Sequence, residues 1–219
     1  MVKLKNKNED QISWIISVFM LLLAAATWMI LDRNWSSFNH LPAYVYAGVL
    51  VFYLLSEKFA YRGSGLSGVQ SSKWTRYLLL FFWWLLLIVP VLEYSFFHRY
   101  SFAVTVAGAV LTASGTILRA WGIWTLGKYF SVHIEVKDDH ELIETGPYRF
   151  IRHPAYAGNL LQATGIPLIL NAYYSLSISA VLVFLFLHRL KLEEEVLIRE
   201  VKGYRDYTRR TYRLVPRIW

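Results

Sequence analysis

The side chains best suited to chemistry lie in the C-terminal half of this 219-residue chain. Arg189 and Glu193 are four residues apart, a spacing that places both side chains on one face of a helix. Arg189 offers a planar, permanently charged fork for a carboxylate, and Glu193 can accept hydrogen bonds from a cationic ligand. The same spacing also fits an exposed ion pair worth about 0.2 to 0.5 kcal/mol. The pair alone therefore leaves a site and a surface contact as alternatives.

A polar stretch upstream of this pair, residues 146–158, reads GPYRFIRHPAYAG. His153 directly precedes Pro154, which fits the first turn of a helix, where proline is tolerated and backbone N–H groups can meet a ligand. The rings of Tyr148 and Tyr156 can pack against a flat ligand, although tyrosines are also common anchors at a membrane surface. A lone histidine would have a structural role here, and the surrounding motif favours a ligand site instead.

Two other kinds of site are excluded by the sequence. The chain contains no cysteine, so disulfides, thiolate metal sites and cysteine nucleophiles are absent, and we expect no bound metal. Residues 63–68 match G-x-G-x-x-G, the pattern of a dinucleotide-binding turn. No strand pattern precedes them and a hydrophobic helix follows, so the βαβ context is missing. We interpret this segment as a flexible cytoplasmic loop.

Long apolar runs indicate the elements that must position these residues. The hydrophobic share of 56% exceeds the roughly 45 to 50% of soluble domains. Two shorter runs flank Asn171 and Ala172 and predict a tight helical hairpin. We therefore predict an all-α integral membrane protein with about six membrane-embedded helices, four spans plus a C-terminal helical hairpin, and we expect Pro90 to kink the third span. The runs are Ile12 to Leu31, Leu41 to Ala60, Trp74 to Phe97, Phe102 to Leu126, Ala155 to Leu170 and Tyr173 to His188.

The distribution of positive charge predicts the orientation of these helices. Cations concentrate before the first run, between the second and third, and after the last, and such segments face the cytoplasm. Both termini and residues 127–153 are then cytoplasmic, and the net charge of +8 needs no nucleic acid partner. A cleaved signal peptide is the alternative for the first run, which continues past the small residues Ala24 to Ala26. We expect a multi-pass protein of a prokaryotic cell membrane, or of the endoplasmic reticulum in a eukaryote; the oligomeric state stays open.

Three elements in fixed order resemble the isoprenylcysteine carboxyl methyltransferase family, with its related bacterial and phospholipid methyltransferases. They are GPYRFIRHPAYAG, the EExxL element at Glu193, Glu194 and Leu197, and YRDYTRRTYRLVP in the tail. Their order and spacing together are specific, whereas RHP or a pair of glutamates alone is not. The resemblance divides the chain into N-terminal transmembrane helices at 1–126 and a catalytic region with the hairpin and tail at 127–219.

The resemblance implies a cytoplasmic site for S-adenosyl-L-methionine, built without a Rossmann sheet where the polar segment and tail cover the helix ends. It implies that Arg189 and Glu193 are catalytic and that Arg189 binds the methyl acceptor. His133 stands where some members have a glutamine, so that contact differs here. The residues implied to bind the cofactor are His133, His140, Glu141, Leu142, Ile143, Tyr148, His153, Pro154, Ala155, Tyr156 and Glu193.

The chemistry of such a reaction agrees with the residues present. Methyl transfer from a sulfonium is an in-line displacement, and the positive charge already activates the donor, so positioning is the main task of the protein. A carboxylate acceptor, with an ordinary pKa near 4, is ionised at neutral pH and needs no general base. The absence of a convincing Ser-His-Asp arrangement is therefore compatible with catalysis.

The favoured reaction is methylation of a lipophilic acceptor at the membrane, most simply the carboxylate of an isoprenylcysteine-like substrate. A phospholipid amine is the nearest alternative, and it would require a base or a solvent path for the ammonium proton. An NADPH-dependent membrane sterol reductase also resembles this chain in an RHP-x-Y element and a basic, proline-bearing tail. A non-catalytic lipid-binding protein is the third alternative. The EExxL element, with Arg189 one turn before it, favours the transferase.

Overall fold

A computed structural model describes residues 41–60, 73–127 and 142–216 of the chain. These residues form six α-helices and one 3₁₀ turn, so the predicted all-α class is confirmed for this part of the protein. The helices are α1 (Leu41–Ala60), α2 (Lys73–Phe97), α3 (Phe102–Leu126), α4 (Pro154–Ile169), α5 (Leu176–Glu200) and α6 (Tyr204–Arg210), and the 3₁₀ turn is Gly146–Arg149.

Helices α1, α2 and α3 coincide with the second, third and fourth predicted runs. Two described segments, Tyr77–Phe97 and Phe102–Leu126, are long and apolar enough to cross a bilayer by length and composition. The first predicted run and the G-x-G-x-x-G segment lie outside the described residues, so the number of spans stays a prediction. Helix α2 is continuous through Pro90, whose expected kink also stays a prediction.

The last long helix differs from the prediction. The apolar run was expected to end at His188, but α5 continues to Glu200. Its polar second half is rich in Leu, Glu, Lys and Arg, which are strong helix formers, and it contains neither Gly nor Pro. The extension places Arg189, Glu193 and Leu197 at successive turns of one rigid helix.

The predicted hairpin between α4 and α5 is confirmed, with its turn at Asn171. Asn171 has a φ of 53°, a left-handed conformation that asparagine tolerates better than most residues. Its side-chain oxygen accepts a hydrogen bond from the backbone N–H of Ser101 at 3.0 Å. Its amide donates to the Thr105 hydroxyl at 2.9 Å. The turn is therefore attached to the start of α3.

Helix α5 begins at a buried carboxylate supplied by α2. Glu93 accepts hydrogen bonds from the backbone N–H groups of Tyr174 and Ser175, at 3.0 and 2.8 Å, and from the Ser175 hydroxyl at 2.8 Å. A negative charge at a helix N-terminus satisfies unpaired N–H groups and complements the helix dipole. Arg99 lies 3.6 Å from Glu93 and balances its charge.

Glycines on α3 and α4 let the two backbones touch. Gly108, Gly115 and Gly122 repeat at intervals that place them on one face of α3, opposite Gly158 and Gly165 of α4. A Cβ added at Gly115 would lie 2.5 Å from the carbonyl oxygen of Gly158 and 3.0 Å from the backbone nitrogen of Gln162. Only glycine permits this approach, as in small-residue contacts between membrane helices. We call this contact the glycine seam.

The C-terminal tail is held against the start of α4. Tyr212 pairs with Ile151 in a short parallel bridge. The backbone N–H groups of Arg152 and His153 donate to the carbonyls of Tyr212 and Arg213, at 2.8 and 3.1 Å. The tail thus covers the polar segment, as the resemblance implies.

A buried carboxylate reinforces this attachment. Glu194 accepts hydrogen bonds from Arg152 Nε and Arg213 Nε, each at 2.8 Å, and lies 3.3 Å from His153 Nε2. Burial alone opposes ionisation, but hydrogen bonds from His153 and Arg152 hold the pKa of Glu194 at about 2. We call these four residues the Glu194 clasp. It joins α4, α5 and the tail.

We expect Gly115→Ala to lower the free energy of unfolding by about 1 to 3 kcal/mol, because the new methyl group must push two backbones apart. Gly48→Ala on α1 is the control, since no atom lies within 4 Å of its added Cβ. Thermal unfolding in detergent, followed by fluorescence of the nine tryptophans, measures both variants. Equal stability of Gly115→Ala and the wild type would contradict the seam.

We expect Glu194→Gln to destabilise the protein by on the order of 3 kcal/mol at neutral pH, because the buried Arg152 and the partly buried Arg213 lose a charged partner. The folded pKa is lowered, so the stabilisation is fully present above the ordinary value of 4.5 and is lost as the pH falls through about 2. Melting temperatures across this window should therefore fall more for the wild type than for the variant. Glu195→Gln is the control, since that side chain is 62% exposed. Parallel curves for all three proteins would refute the role of Glu194.

Candidate active site

The predicted catalytic pair is joined by the hydroxyl of Tyr156. Arg189 Nε donates to the Tyr156 hydroxyl at 3.2 Å, and that hydroxyl donates to Glu193 Oε2. Arg189 also donates to the hydroxyl of Thr75 on α2 at 3.4 Å. Only 7% of Arg189 is exposed. The pair is therefore part of a buried polar arrangement, and its interpretation as an exposed ion pair is wrong.

Aromatic rings hold Tyr156 in place between α4 and α5. Its ring lies edge-on to His153 and to Phe186, with centroid distances of 5.6 and 5.8 Å. Such perpendicular contacts are favourable for aromatic pairs and restrict the ring. The hydroxyl is thus fixed at the point where it contacts both a cation and a carboxylate.

The start of α4 contributes three of the residues implied to bind the cofactor, and the structure places each of them in packing contacts. His153 is buried within the Glu194 clasp. Pro154 faces α3, where its Cγ would lie 3.0 Å from a Cβ added at Gly122. Ala155 packs against Ile123 of α3. A cofactor contact by any of these three residues stays a prediction.

Tyr148 and Leu142 lie on the side of α5 that carries Glu193. Burial, followed by the Glu193 carboxylate, raises the pKa of Tyr148 well above its ordinary value, which keeps its hydroxyl protonated. The Tyr148 carbonyl accepts a hydrogen bond from the Tyr207 hydroxyl at 2.6 Å. Leu142 and Leu197, which lies one turn beyond Glu193, pack against the same buried cluster of Val201, Tyr204 and Tyr207. The structure therefore brings these parts of the predicted site together.

The other predicted residues are less informative. Ile143 is half-buried next to Leu142. His133, His140 and Glu141 lie outside the described residues, so their predicted contacts stay predictions. Within residues 41–60, 73–127 and 142–216, no group of three or more His, Asp or Glu side chains is arranged to hold a metal ion.

Several residues of this region were missed from the sequence. Helical spacing places Glu194 on a different face from Glu193, yet Arg152 in the RHP element and Arg213 in the tail both donate to Glu194. The sequence does contain a signal for this contact: one cation lies in the element before EExxL and another in the element after it, and a buried glutamate needs such partners. No sequence signal identifies Thr75 as a residue of this region, because nothing in the sequence of α2 connects Thr75 with Arg189.

A cleft of about 340 Å³ opens on the other side of the Glu194 clasp, between α5, α6 and the tail. Arg152, Glu194 and Arg213 form its polar wall, and Ile198 and Tyr212 contribute to its lining. Among the residues that the structure describes, none of those implied to bind the cofactor lines this cleft. Its described lining also includes neither Arg189 nor Glu193.

Comparison with known proteins gives this arrangement a family context. Residues 106–199 match the model of the isoprenylcysteine carboxyl methyltransferase family. The match contains the GPYRFIRHPAYAG and EExxL elements and ends before the tail element.

Curated relatives are similar to about half of the chain. A probable protein-S-isoprenylcysteine O-methyltransferase of Oryza sativa subsp. indica is 31% identical over 52% of this chain and 61% of its own length. The protein-S-isoprenylcysteine O-methyltransferase of Dictyostelium discoideum is 30% identical over 58% of this chain and 56% of its own. The chain thus spans less than two thirds of either relative.

A solved structure of a eukaryotic intramembrane Ras methyltransferase, isoprenylcysteine carboxyl methyltransferase, aligns with 96% of this chain and 94% of that one. Its sequence identity of 17% and TM-score of 0.46 are too low to establish a shared fold. The family model and the curated relatives carry this comparison. Residues 106–199 of this chain, which contain Tyr156, Arg189 and Glu193, are similar to the isoprenylcysteine carboxyl methyltransferase family.

Proposed function

We propose that the protein is an S-adenosyl-L-methionine-dependent methyltransferase that methylates the carboxylate of a lipophilic, isoprenylcysteine-like acceptor. The observation that carries this proposal is the buried arrangement in which one hydroxyl, that of Tyr156, contacts both Arg189 and Glu193. A cation for the acceptor and a carboxylate for the donor then lie side by side. The names of the curated relatives support the same reaction.

The exposed surface of the helices supports a site at a membrane. Large apolar side chains cover the outer faces of α2 and α3, and Phe81, Phe96 and Trp124 are among the most exposed. Such a continuous apolar surface suits lipid. We propose a multi-pass membrane protein with both termini cytoplasmic, whose acceptor enters from the bilayer and whose cofactor enters from the cytoplasm. A prokaryotic cell membrane remains the favoured location.

The residues present fit S-adenosyl-L-methionine, which supplies a methyl group on a positively charged sulfur. Glu193 is half-buried, so its carboxylate attracts a cationic group more strongly than it would in water. Tyr148 and Leu142 provide aromatic and apolar surface beside it. Glu193 thus binds and orients the donor. It does not act as a base, because a carboxylate acceptor is already ionised and has no proton to remove.

Arg189 is suited to bind the carboxylate of the acceptor. Its hydrogen bonds to Tyr156 on α4 and Thr75 on α2 fix the orientation of the guanidinium. A fixed guanidinium can pair with a carboxylate and hold it in line with the methyl group. Because Arg189 is buried, this pairing is stronger than it would be in water. A phospholipid ammonium would be repelled by Arg189, which favours the carboxylate acceptor over the amine.

We expect Glu193→Gln to weaken binding of S-adenosylhomocysteine by at least about 10-fold, because a charged hydrogen-bond acceptor becomes neutral. Calorimetric titration of the detergent-purified protein measures the dissociation constant. Glu195→Gln, on the exposed face of the same helix, should bind like the wild type. The same affinity in all three proteins would rule out the assigned role of Glu193.

We expect Arg189→Lys to lower kcat/KM for a prenylated cysteine, such as N-acetyl-S-farnesylcysteine, by about 100-fold, because lysine keeps the charge but loses the planar fork. Affinity for S-adenosylhomocysteine should stay within about 2-fold, since Arg189 faces the acceptor. Lys191→Ala, an exposed position two residues further on, is the control. A loss of cofactor affinity with unchanged acceptor kinetics would reverse the assignment.

A further inference from the structure

Tyr204 begins α6 and is almost completely buried, with 4% of its surface exposed. The preceding Gly203 has a φ of 84°, a left-handed conformation that turns the chain back after α5. The ring packs edge-on against Tyr207 with a centroid distance of 5.6 Å. The position of the ring is therefore fixed by the turn and by its aromatic neighbour.

The hydroxyl of Tyr204 has no hydrogen-bond partner among the described residues. Other tyrosines in this structure do donate: Tyr46 to the carbonyl of Leu87, Tyr156 to Glu193, and Tyr207 to the carbonyl of Tyr148. A buried hydroxyl without a partner is destabilising and uncommon in native proteins. The partner of this hydroxyl is therefore not among the residues that the structure describes.

The neighbours of Tyr204 place this hydroxyl beside the proposed cofactor site. The ring belongs to a buried cluster with Val201 and Tyr207. Leu142, which the family resemblance assigns to the cofactor, and Leu197, one turn beyond Glu193, pack against this cluster. Burial, followed by the carboxylates of Glu194 and Glu193, raises the pKa of Tyr204 well above its ordinary value. The hydroxyl is therefore protonated at neutral pH and can donate a hydrogen bond.

We infer that Tyr204 is a cofactor-binding residue whose buried hydroxyl forms a hydrogen bond with bound S-adenosyl-L-methionine. This inference rests on the proposed function and extends the site to α6, beyond the family-matched residues 106–199. The apolar side chains of Leu142 and Leu197 suit the flat purine, and the ring nitrogens and ribose hydroxyls of adenosine are suitable partners for a phenol.

The inference is tested with Tyr204→Phe, which removes one oxygen and keeps the ring. Calorimetric titration should show about 3- to 10-fold weaker binding of S-adenosylhomocysteine, as expected for one lost hydrogen bond. The melting temperature of the cofactor-free protein should be unchanged or higher, because the hydroxyl has no protein partner to lose. Tyr207→Phe is the control for stability, and it should melt at a lower temperature because it loses the bond to Tyr148.

The outcomes separate this inference from the proposed function. If the wild type binds S-adenosylhomocysteine and Tyr204→Phe binds it equally well, Tyr204 is not a cofactor contact and the proposed function stands. If the cofactor-free Tyr204→Phe variant melts at a lower temperature than the wild type, and this loss of stability is as large as the loss of affinity, the role of Tyr204 is structural and the inference is wrong. If the wild type does not bind the ligand, the proposed function and the inference both fail.

Discussion

The backbone contact between α3 and α4 is the constraint on which the candidate site depends. Gly115 and Gly158 bring the two helices so close that a single methyl group would collide with the opposite backbone. This contact fixes the rotation and depth of α4, so Pro154 rests on α3 while Tyr156 faces α5. A helix held by backbone contact cannot easily shift to suit its side chains. The polar residues of α5 must therefore adapt to the position of α4.

Two neighbouring glutamates on α5 have different roles beside α4. Glu194 compensates the charges of Arg152, just before α4, and of Arg213 in the tail, and it holds the C-terminal segment against the polar stretch. Glu193 contacts the hydroxyl of Tyr156 and shares it with Arg189. Buried charges are stable only when paired, and each glutamate has its own partners. Under the proposed function, one glutamate thus maintains the structure while its neighbour meets the cofactor.

The sequence predicted the helices well, because length and apolar content are local properties that decide whether a segment is a membrane helix. It missed the end of α5, since hydropathy stops at His188 while helix propensity continues to Glu200. The site was predicted in part. Arg189 and Glu193 share a helix face, so their proximity followed from spacing, whereas the Tyr156 bridge and the Glu194 clasp join residues distant along the chain. Such contacts depend on helix packing, which no local pattern encodes.

The central claim is that this buried arrangement transfers a methyl group to a carboxylate. The most direct measurement incubates the purified protein with S-adenosylmethionine labelled in its methyl group and N-acetyl-S-farnesylcysteine, and then treats the product with base. A methyl ester releases labelled methanol under these conditions, whereas a methylated amine keeps its label. We expect base-labile label that depends on the protein. Protein-dependent label that survives base, or no transfer to the prenylated cysteine at all, would contradict the account.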